Sequence, residues 1–193
     1  MGYPENLMNP KLPESWIQAA KDKWRFRGSE RPPFAQQPAA GQESVWDYPR
    51  PPRLMSDSRR VIVRVHKKVL ADSCKAIRIL ETASPPTFYL PPGDVDLASL
   101  MLIAVSSFCE WKGTAQYWSL KEGEERGEPV AWGYPHPFRE FEPIAHYVAY
   151  YPGRVECYVD DERVQPQASG IYGGWVTKEI VGPFKGPPET ENW

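Results

Sequence analysis

"SFCEWKGTAQYWSL", residues 107–120, gathers a cysteine, two tryptophans, a tyrosine and a lysine around one glycine. Its second half, "TAQYWSL" (114–120), is rich in residues that strands favour, and "VAWGY" (130–134) has the same character. The polar loop "KEGEERGEP" (121–129) separates the two segments. Two such segments joined by a polar loop that contains glycine predict a β-hairpin at the centre of the fold.

The register of this hairpin decides which aromatic residues share a face. If residues 120 and 130 pair across the loop, Trp118 lies opposite Trp132 and Gln116 lies opposite Tyr134. One face then holds Trp118, Gln116, Trp132, Tyr134 and Val130. The other face holds Tyr117 and Ala115, joined by Cys109 and Trp111 if the strand extends that far. A slip of one residue exchanges these sets. Either register predicts two buried faces, one of which could line a cavity.

Outside the hairpin, short segments with frequent turn signals predict a mainly β, single-domain fold of antiparallel sheets. "VIVRV" (61–65) and "KVLADS" (68–73) predict a hairpin that turns near Lys67. "AIRILE" and "TFYL" predict two strands separated by a break at Ser84-Pro85-Pro86. "HYVAYY" and "VECYVD" flank a predicted turn at Pro152-Gly153. The stretch at 95–105 fits either a strand or a helical turn.

The prolines divide the chain into a core and two arms. Nine of the 22 prolines lie in residues 1–59 and four lie in 164–193, and proline is excluded from central strands. We predict a Pro/Trp-rich arm with a short helix at 1–58, a core at 59–163, and an irregular C-terminal arm at 164–193 that packs on the core. Tryptophans support packing of the arms rather than disorder. They are Trp16, Trp24, Trp46, Trp175 and Trp193.

The helix of the first arm is predicted at 15–25. Ser15 and Gln18 have the spacing of a capping box. Four apolar residues share one face of this helix and predict a docking face. They are Trp16, Ile17, Ala20 and Trp24.

The composition is that of a soluble globular protein, with 41% hydrophobic residues and a net charge of −2. No run of about 18 apolar residues could span a membrane, and the N-terminus does not have the pattern of a secretory signal. We therefore expect a cytoplasmic protein. The near-zero net charge argues against a nucleic-acid partner. One basic cluster could form a local patch or merely a solvated strand edge. Its members are Arg59, Arg60, Arg64, Lys67 and Lys68.

The cysteines and histidines predict no metal site, and no cofactor is indicated. Cys74, Cys109 and Cys157 are widely spaced, and no CxxC pair occurs. The three histidines have no ligand spacing with the cysteines. A structural zinc site needs about four closely grouped ligands. We expect three free thiols.

The candidate catalytic residues are Cys109, Glu110 and Lys112. Lys112 follows Cys109 by three positions, and a nearby cation raises the thiolate fraction of a cysteine. Glu110 could act as a general acid or base if it is buried. The alternatives are structural: Cys109 as a small buried hydrophobe, and a surface ion pair between Glu110 and Lys112 on one strand face.

The candidate ligand-binding residues are mostly aromatic. They are Trp111, Tyr117, Trp118, Trp132, Tyr134 and His136. Core packing would account for the rings, but small-ligand pockets are also apolar with a few polar groups. Trp and Tyr faces suit a cation or a flat ring. His136 lies between two prolines and is expected at the surface, where it could supply a base at a pocket rim.

The succession of motifs resembles the family known as domain of unknown function 427, found in bacteria, cyanobacteria and plants. The matching segments are "VLADS" (69–73), "ILETASPPTFYLPPGDV" (79–95), "SFCEWKGTAQYW" (107–118), "AWGYPHP" (131–137) and "IAHYVAYYPGRVECYVD" (144–160). The tail "YGGWVTKEIVGPFKGPPETENW" is similar to the tails of cyanobacterial-type and plant-type members. The resemblance covers about 59–163 and, more narrowly, this tail.

The resemblance implies a β-tent fold, similar to methionine sulfoxide reductase B and to the ligand-binding domain of cereblon. Those relatives hold ligands between aromatic side chains. The zinc of many relatives is not implied, because this chain lacks their two CxxC pairs, and no cysteine matches the reductase nucleophile by motif. Family catalogues attach a nucleotidyltransferase-like label. The only matching acidic pair, Asp94 and Asp96 in "GDVD", also fits a polar turn.

These observations leave three functional interpretations. The first is a module that binds a small ligand, or a peptide or protein group, in an aromatic pocket beside residues 109–118 and 131–136. The second is an enzyme that uses Cys109 or Glu110 with Lys112. The third is a scaffold whose arms dock on partners or on a sister subunit. None of the three involves nucleic acid or a membrane.

Overall fold

The computed structural model describes residues 12–123, 127–169 and 171–193. The fold is mainly β, with 39% strand and 13% helix, as predicted. Among the described residues one α-helix, α1, spans Glu14–Asp22. Short 3-10 helices span Val45–Asp47, Pro92–Asp94, Leu97–Ser99 and Arg139–Ile144. The strands are β1 (Glu43–Ser44), β2 (Arg53–Asp57), β3 (Val61–Val65), β4 (Lys68–Ser73), β5 (Ala76–Glu81), β6 (Ser84–Leu90), β7 (Leu100–Cys109), β8 (Gly113–Leu120), β9 (Ala131–Gly133), β10 (Val148–Tyr150), β11 (Glu156–Val159), β12 (Glu162–Arg163), β13 (Gln165–Pro166), β14 (Trp175–Val176) and β15 (Ile180–Val181).

Two antiparallel sheets form the body of the molecule. The larger has seven strands in the order β2-β5-β6-β10-β9-β8-β7, and the smaller has four in the order β12-β11-β3-β4. The predicted hairpin near Lys67 is confirmed, because Val65 of β3 pairs with Lys68 of β4. The turn after Tyr151 is also present, and it leads the chain from β10 in the large sheet to β11 in the small one.

The register predicted for the central hairpin is wrong by one residue. Trp132 pairs with Tyr117 rather than with Trp118. Gln116 pairs with Gly133, so it does not lie opposite Tyr134 either.

The small residues of β9 explain this register. Trp118 pairs with Ala131, and Gly133 lies two residues further along the same face. A Cβ at Gly133 would lie 3.3 Å from Cζ3 of Trp118, so the glycine leaves room for the indole. Trp132, between these two small residues, projects from the opposite face of the sheet.

The stretch at 107–120 is not one strand. β7 ends at Cys109 and β8 begins at Gly113, so the extension of the strand back through Trp111 is wrong. Gly113 has φ +94°, a conformation that glycine adopts without the steric penalty of a side chain, and it closes a three-residue turn. Glu110 and Lys112 therefore lie in a turn and do not share a strand face.

The ambiguous stretch at 95–105 contains both predicted alternatives in succession. A 3-10 helix at Leu97–Ser99 is followed directly by β7. β7 is an edge strand of the seven-stranded sheet.

Two hydrophobic cores lie on opposite faces of the seven-stranded sheet, as the aromatic pattern of the hairpin predicted. The first core joins this sheet to the four-stranded one, and Trp118 packs against it. It includes Val61, Val63, Leu70, Phe88, Leu90, Tyr150 and Cys157. The second core includes Trp24, Ile79, Tyr89, Trp111, Ala115, Trp132, Tyr134 and Phe141.

Both arms contribute to these cores and to each other. β1 of the first arm pairs in parallel with β15 of the second. Trp46 Nε1 donates a hydrogen bond of 3.1 Å to the carbonyl oxygen of Pro183. Trp175 is 0% exposed and stacks on Phe88 with the ring centroids 4.8 Å apart. The described parts of the arms therefore fill the interior of this chain.

The N-terminal helix differs from its prediction. α1 ends three residues before the predicted end, and Ser15 forms no capping hydrogen bond. The docking face is wrong for Trp16, which is 67% exposed, and Ile17 is only half-buried. Trp24 is buried, but it lies beyond the end of the helix and packs in the second core.

The predicted break at Ser84-Pro85-Pro86 is also wrong. These residues lie inside β6, and the turn precedes them, because Ser84 pairs with Glu81. The β5–β6 ladder shifts its register between Ile79 and Glu81. Such an irregularity accommodates two residues that have no N–H to donate.

Candidate functional site

A cavity of about 320 Å³ lies on the second-core side of the large sheet. Nine aromatic residues contribute to its wall, and charged residues lie between them. The aromatic residues are Trp24, Tyr89, Phe108, Trp111, Tyr117, Trp132, Tyr134, Tyr151 and Tyr172. The charged residues are Lys23, Glu81, Glu110, Lys112 and Lys185.

Most of the candidate residues from the sequence meet at this cavity. They are Cys109, Glu110, Trp111, Lys112, Tyr117, Trp132 and Tyr134. Trp118 does not line the wall, because the observed register puts it on the opposite face of the sheet. His136 is exposed, as expected, and lies beside His146 with the ring centroids 6.1 Å apart, away from the cavity wall.

The Trp132 ring is held in place from three sides. Its Nε1 donates to the Tyr89 hydroxyl over 3.0 Å, and its ring centroid lies 4.4 Å from that of Tyr151. A Cβ on Gly173 would lie only 2.4 Å from Cη2 of Trp132, so a glycine is required where the second arm crosses the ring. This side chain therefore forms a fixed, flat part of the wall.

A pair of hydroxyl groups lies at an exposed edge of the cavity. Ser107 Oγ and Tyr117 Oη are 2.7 Å apart. Ser107 is exposed and pairs with Ala115, whose methyl group is in the second core. The Ser107 side chain is therefore on the cavity side of β7.

The buried phenols of the cavity stay protonated at neutral pH. Burial raises the pKa of Tyr134 well above its ordinary value and raises the pKa of Tyr89 to about 12. Each phenol can therefore take part in hydrogen bonding as a neutral hydroxyl group.

Glu81 is the acidic centre of a buried charge cluster. Its Oε1 lies 3.1 Å from Nη2 of Arg50 and 4.0 Å from Nζ of Lys185. Burial alone would raise the pKa of Glu81, but Lys185, Lys112 and Arg50 outweigh it and hold the pKa below its ordinary value. The carboxyl group is therefore ionised at neutral pH.

Lys185 comes from the second arm and is 3% exposed. Its Nζ lies 4.1 Å from the ring centroid of Trp24 and 4.4 Å from that of Tyr172. Burial lowers the pKa of Lys185, and Arg50 adds to this effect while Glu81 opposes it. The side chain is thus a buried amine between two aromatic faces.

Lys112 lies on the core side of the β7–β8 turn and is 7% exposed. It interacts electrostatically with the Cys109 thiol, as does the Tyr134 hydroxyl. Burial alone would lower the pKa of Lys112, but Cys109, Tyr89 and Glu81 raise it above its ordinary value. Lys112 is therefore a cation at neutral pH.

The predicted ion pair between Glu110 and Lys112 is wrong. Glu110 instead accepts a hydrogen bond of 2.5 Å from Nε1 of Trp24. This contact fastens the first arm to the turn between β7 and β8, so Glu110 connects the arm to the cavity wall.

Several residues in or beside this site escaped prediction from the sequence, among them Arg50, Glu81, Gly173 and Lys185. Glu81 could have been noticed, because it is a charged residue at the end of the largely apolar strand "AIRILE". Gly173, in a Gly-Gly pair before a tryptophan, is typical of a close backbone approach. Arg50 and Lys185 lie in the arms and reach the site only through long-range packing, which leaves no local pattern.

The acidic pair of "GDVD" has the character of a polar turn. Asp94 accepts a hydrogen bond from Ser73 Oγ over 2.7 Å, and Asp96 accepts one from the Ser99 hydroxyl. Across the described ranges, no group of three or more His, Cys, Asp or Glu residues could hold a metal ion. The three cysteines are free thiols. None of the described helices is long and apolar enough to cross a membrane.

The basic cluster at 59–68 is largely neutralised by ion pairs. Arg59 pairs with Asp57 and Glu179, and the other pairs are Arg60–Asp72, Arg64–Glu156 and Lys68–Asp96. These contacts favour the interpretation as a solvated strand edge.

Comparison of the sequence with protein-family models identifies a known family. A family model described as "Domain of unknown function (DUF427)" matches residues 53–161, more than half of the chain. The chain belongs to the DUF427 family. No curated protein matches it. The DUF427 match includes Glu81 and all seven candidate residues at the cavity, whereas Trp24, Gly173 and Lys185 lie outside it.

Proposed function

We propose that this DUF427 protein binds a small organic ligand, or a peptide group of similar size, in the aromatic cavity. The observation that carries the proposal is the cavity itself, about 320 Å³ with a wall of aromatic rings and a few buried charges. Ligand sites typically have volumes of about 300–1,000 Å³ and this kind of lining.

The rigidity of the cavity wall also supports the proposed ligand binding. Trp132 is fixed by Tyr89, Tyr151 and Gly173, so little side-chain freedom remains to be lost when a ligand enters. Pre-organisation of this kind lowers the entropic cost of binding.

The test uses a variant that fills the cavity from its edge without removing any core side chain. Ser107→Trp places an indole on the cavity side of an exposed position. We expect it to weaken the binding of one- and two-ring aromatic probes by about tenfold or more. Ligand-observed NMR with negative, neutral and positive probes measures the effect.

Ser106→Trp is the matched control, because Ser106 is exposed, neighbours Ser107 and pairs with Gln116 on the other face. It should leave probe binding unchanged. Thermal unfolding of both variants shows whether each is folded. The proposal fails if no probe of any charge binds the native protein, or if Ser106→Trp and Ser107→Trp weaken binding equally.

We propose a second candidate function, an enzyme with Cys109 as its nucleophile, because one interaction favours it. Lys112 and Tyr134 line the same cavity as Cys109 and interact electrostatically with its thiol. A cation beside a thiol increases the population of the nucleophilic thiolate.

Iodoacetamide labelling of a Cys74→Ser background tests this second candidate, because Cys74 is exposed and Cys157 is buried. We expect Lys112→Met to slow the labelling of Cys109 several-fold at neutral pH, while Lys68→Met, at an exposed lysine outside the cavity, leaves it unchanged. Mass spectrometry of the labelled peptide measures the rate. Equal rates with and without Lys112 would remove the support for an activated cysteine.

A further inference from the structure

The charges around the cavity do not balance. Three lysines line the wall, Lys23, Lys112 and Lys185, and Arg50 lies directly against Glu81. The carboxylates of the wall are Glu81 and Glu110. Cations therefore outnumber carboxylates by two to one in and beside the cavity.

Both carboxylates are already engaged. Glu81 faces Arg50 and Lys185, and Glu110 accepts the indole N–H of Trp24. Each carboxylate is thus already paired within the chain, and Glu81 is shared by several cations.

Of the three buried cations, Lys112 is the one without a direct ion pair in the described part of the chain, although Glu81 stabilises its charge at longer range. In the described part of the chain, no carboxylate oxygen lies within 4.0 Å of Lys112 Nζ. This is the distance at which Lys185 Nζ still pairs with Glu81.

The Tyr134 and Phe141 ring centroids lie 5.7 Å from Lys112 Nζ, and the Cys109 thiol interacts electrostatically with this ammonium group. Glu81 is shared by three buried cations, and a buried ammonium group that lacks a direct ion pair is costly. An anion in the cavity would therefore be stabilised beside Lys112.

The two buried lysines, Lys112 and Lys185, lie near the same region of the cavity wall. Lys112 and Lys185 both stabilise the charge of Glu81, so both ammonium groups lie near the same carboxylate. Trp132 and Tyr134 supply rings on the same wall. A flat ligand with a negative group at its edge would match both features.

We propose that the cavity takes a planar organic anion, such as an aromatic carboxylate, whose ring contacts Trp132 and whose charge is bound by Lys112 and Lys185. The proposal rests on the binding function proposed above and adds the chemical class of the ligand.

Three probes with one ring system and different charge test this class: indole-3-carboxylate, indole-3-carboxamide and 3-(aminomethyl)indole. Titration calorimetry with the full chain at neutral pH gives their affinities. We expect the carboxylate to bind about tenfold or more tightly than the neutral amide, and the amine to bind most weakly.

Lys112→Met, which keeps the length and the apolar stem of the side chain, then separates charge from packing. The substitution should lower the affinity for the carboxylate probe by about tenfold and leave the affinity for the amide probe unchanged. If Lys112 had only a structural role, both affinities would change. Lys185→Met is a second variant with the same expectation if Lys112→Met does not fold. Lys68→Met, outside the cavity, should change neither affinity.

The outcomes distinguish this inference from the function on which it rests. If the amide or the amine binds as tightly as the carboxylate, the inference is overturned and the binding function stands. If the carboxylate preference survives in both lysine variants, the assignment to Lys112 and Lys185 is overturned. If none of the three probes binds at millimolar concentration, both proposals are contradicted.

Discussion

Glu81 connects three buried cations that belong to different parts of the chain. Arg50 and Lys185 come from the two arms, and Lys112 comes from the β7–β8 turn. Arg50 also donates to the carbonyl oxygens of Phe26 and Thr82, so its guanidinium group has further partners if the carboxylate is lost. The lysines depend more strongly on Glu81.

We predict that Glu81→Gln destabilises the protein by about 3–5 kcal/mol at pH 7, because breaking one partner of a buried ion pair leaves uncompensated charges. Urea unfolding measures the loss. Glu156→Gln is the matched control: Glu156 pairs with Arg64 over 3.0 Å at a more exposed site, so its loss should destabilise the protein far less. Equal losses in the two variants would contradict the assigned role of Glu81.

The stability lost in the Glu81→Gln variant should be larger at neutral pH than in acid. The pKa of Glu81 is lower in the folded chain than its ordinary value, so its contribution is fully present above the unfolded pKa of about 4.3. It is lost as the pH falls through the folded pKa. The difference between the native protein and Glu81→Gln should therefore narrow in acid below that value.

At the scale of elements, the second arm functions as part of the interior. Trp175 in β14 stacks on Phe88 of β6, and its Nε1 donates to the carbonyl oxygen of Tyr150 over 3.0 Å. A strand of two residues thus inserts a whole indole between the two main sheets.

We predict that Trp175→Ala costs about 3–5 kcal/mol of unfolding free energy, as expected for removal of a fully buried large side chain. Trp16→Ala is the control, because Trp16 is also a tryptophan of an arm but is 67% exposed. It should change stability by no more than about 0.5 kcal/mol. Chemical unfolding measures both, and a small effect of Trp175→Ala would show that the second arm is not part of the core.

The elements themselves were largely predictable because their signals are local. β-Branched runs gave β3 and β5, and the aromatic segments on either side of the polar loop gave β8 and β9. Register was less accessible, since period-two alternation is the same in two registers. The packing of Trp118 and Trp132 in different cores distinguishes the two registers, and that packing exists only in three dimensions.

At the scale of the whole molecule, the aromatic part of the candidate site could be predicted from the sequence, but most of its charged part could not. The aromatic wall could be predicted because Trp111, Tyr117, Trp132 and Tyr134 lie in or directly beside the strands of one predicted hairpin. The charged part could not, because Arg50 and Lys185 meet at Glu81 only after both arms have folded over the large sheet. Glu81 lies 31 positions from Arg50 and still farther from Lys185, and contacts over such separations leave no periodic pattern.

The cavity wall crosses the boundary of the family match. Residues 53–161 supply the aromatic hairpin, while Trp24, Tyr172 and Lys185 reach the same cavity from the flanks. A DUF427 chain with the same matched region but different flanks would keep the ring-bearing wall and change the groups that close it. If the cavity binds a ligand as proposed, the groups that differ between such chains are those at its flanks, while the aromatic hairpin stays the same.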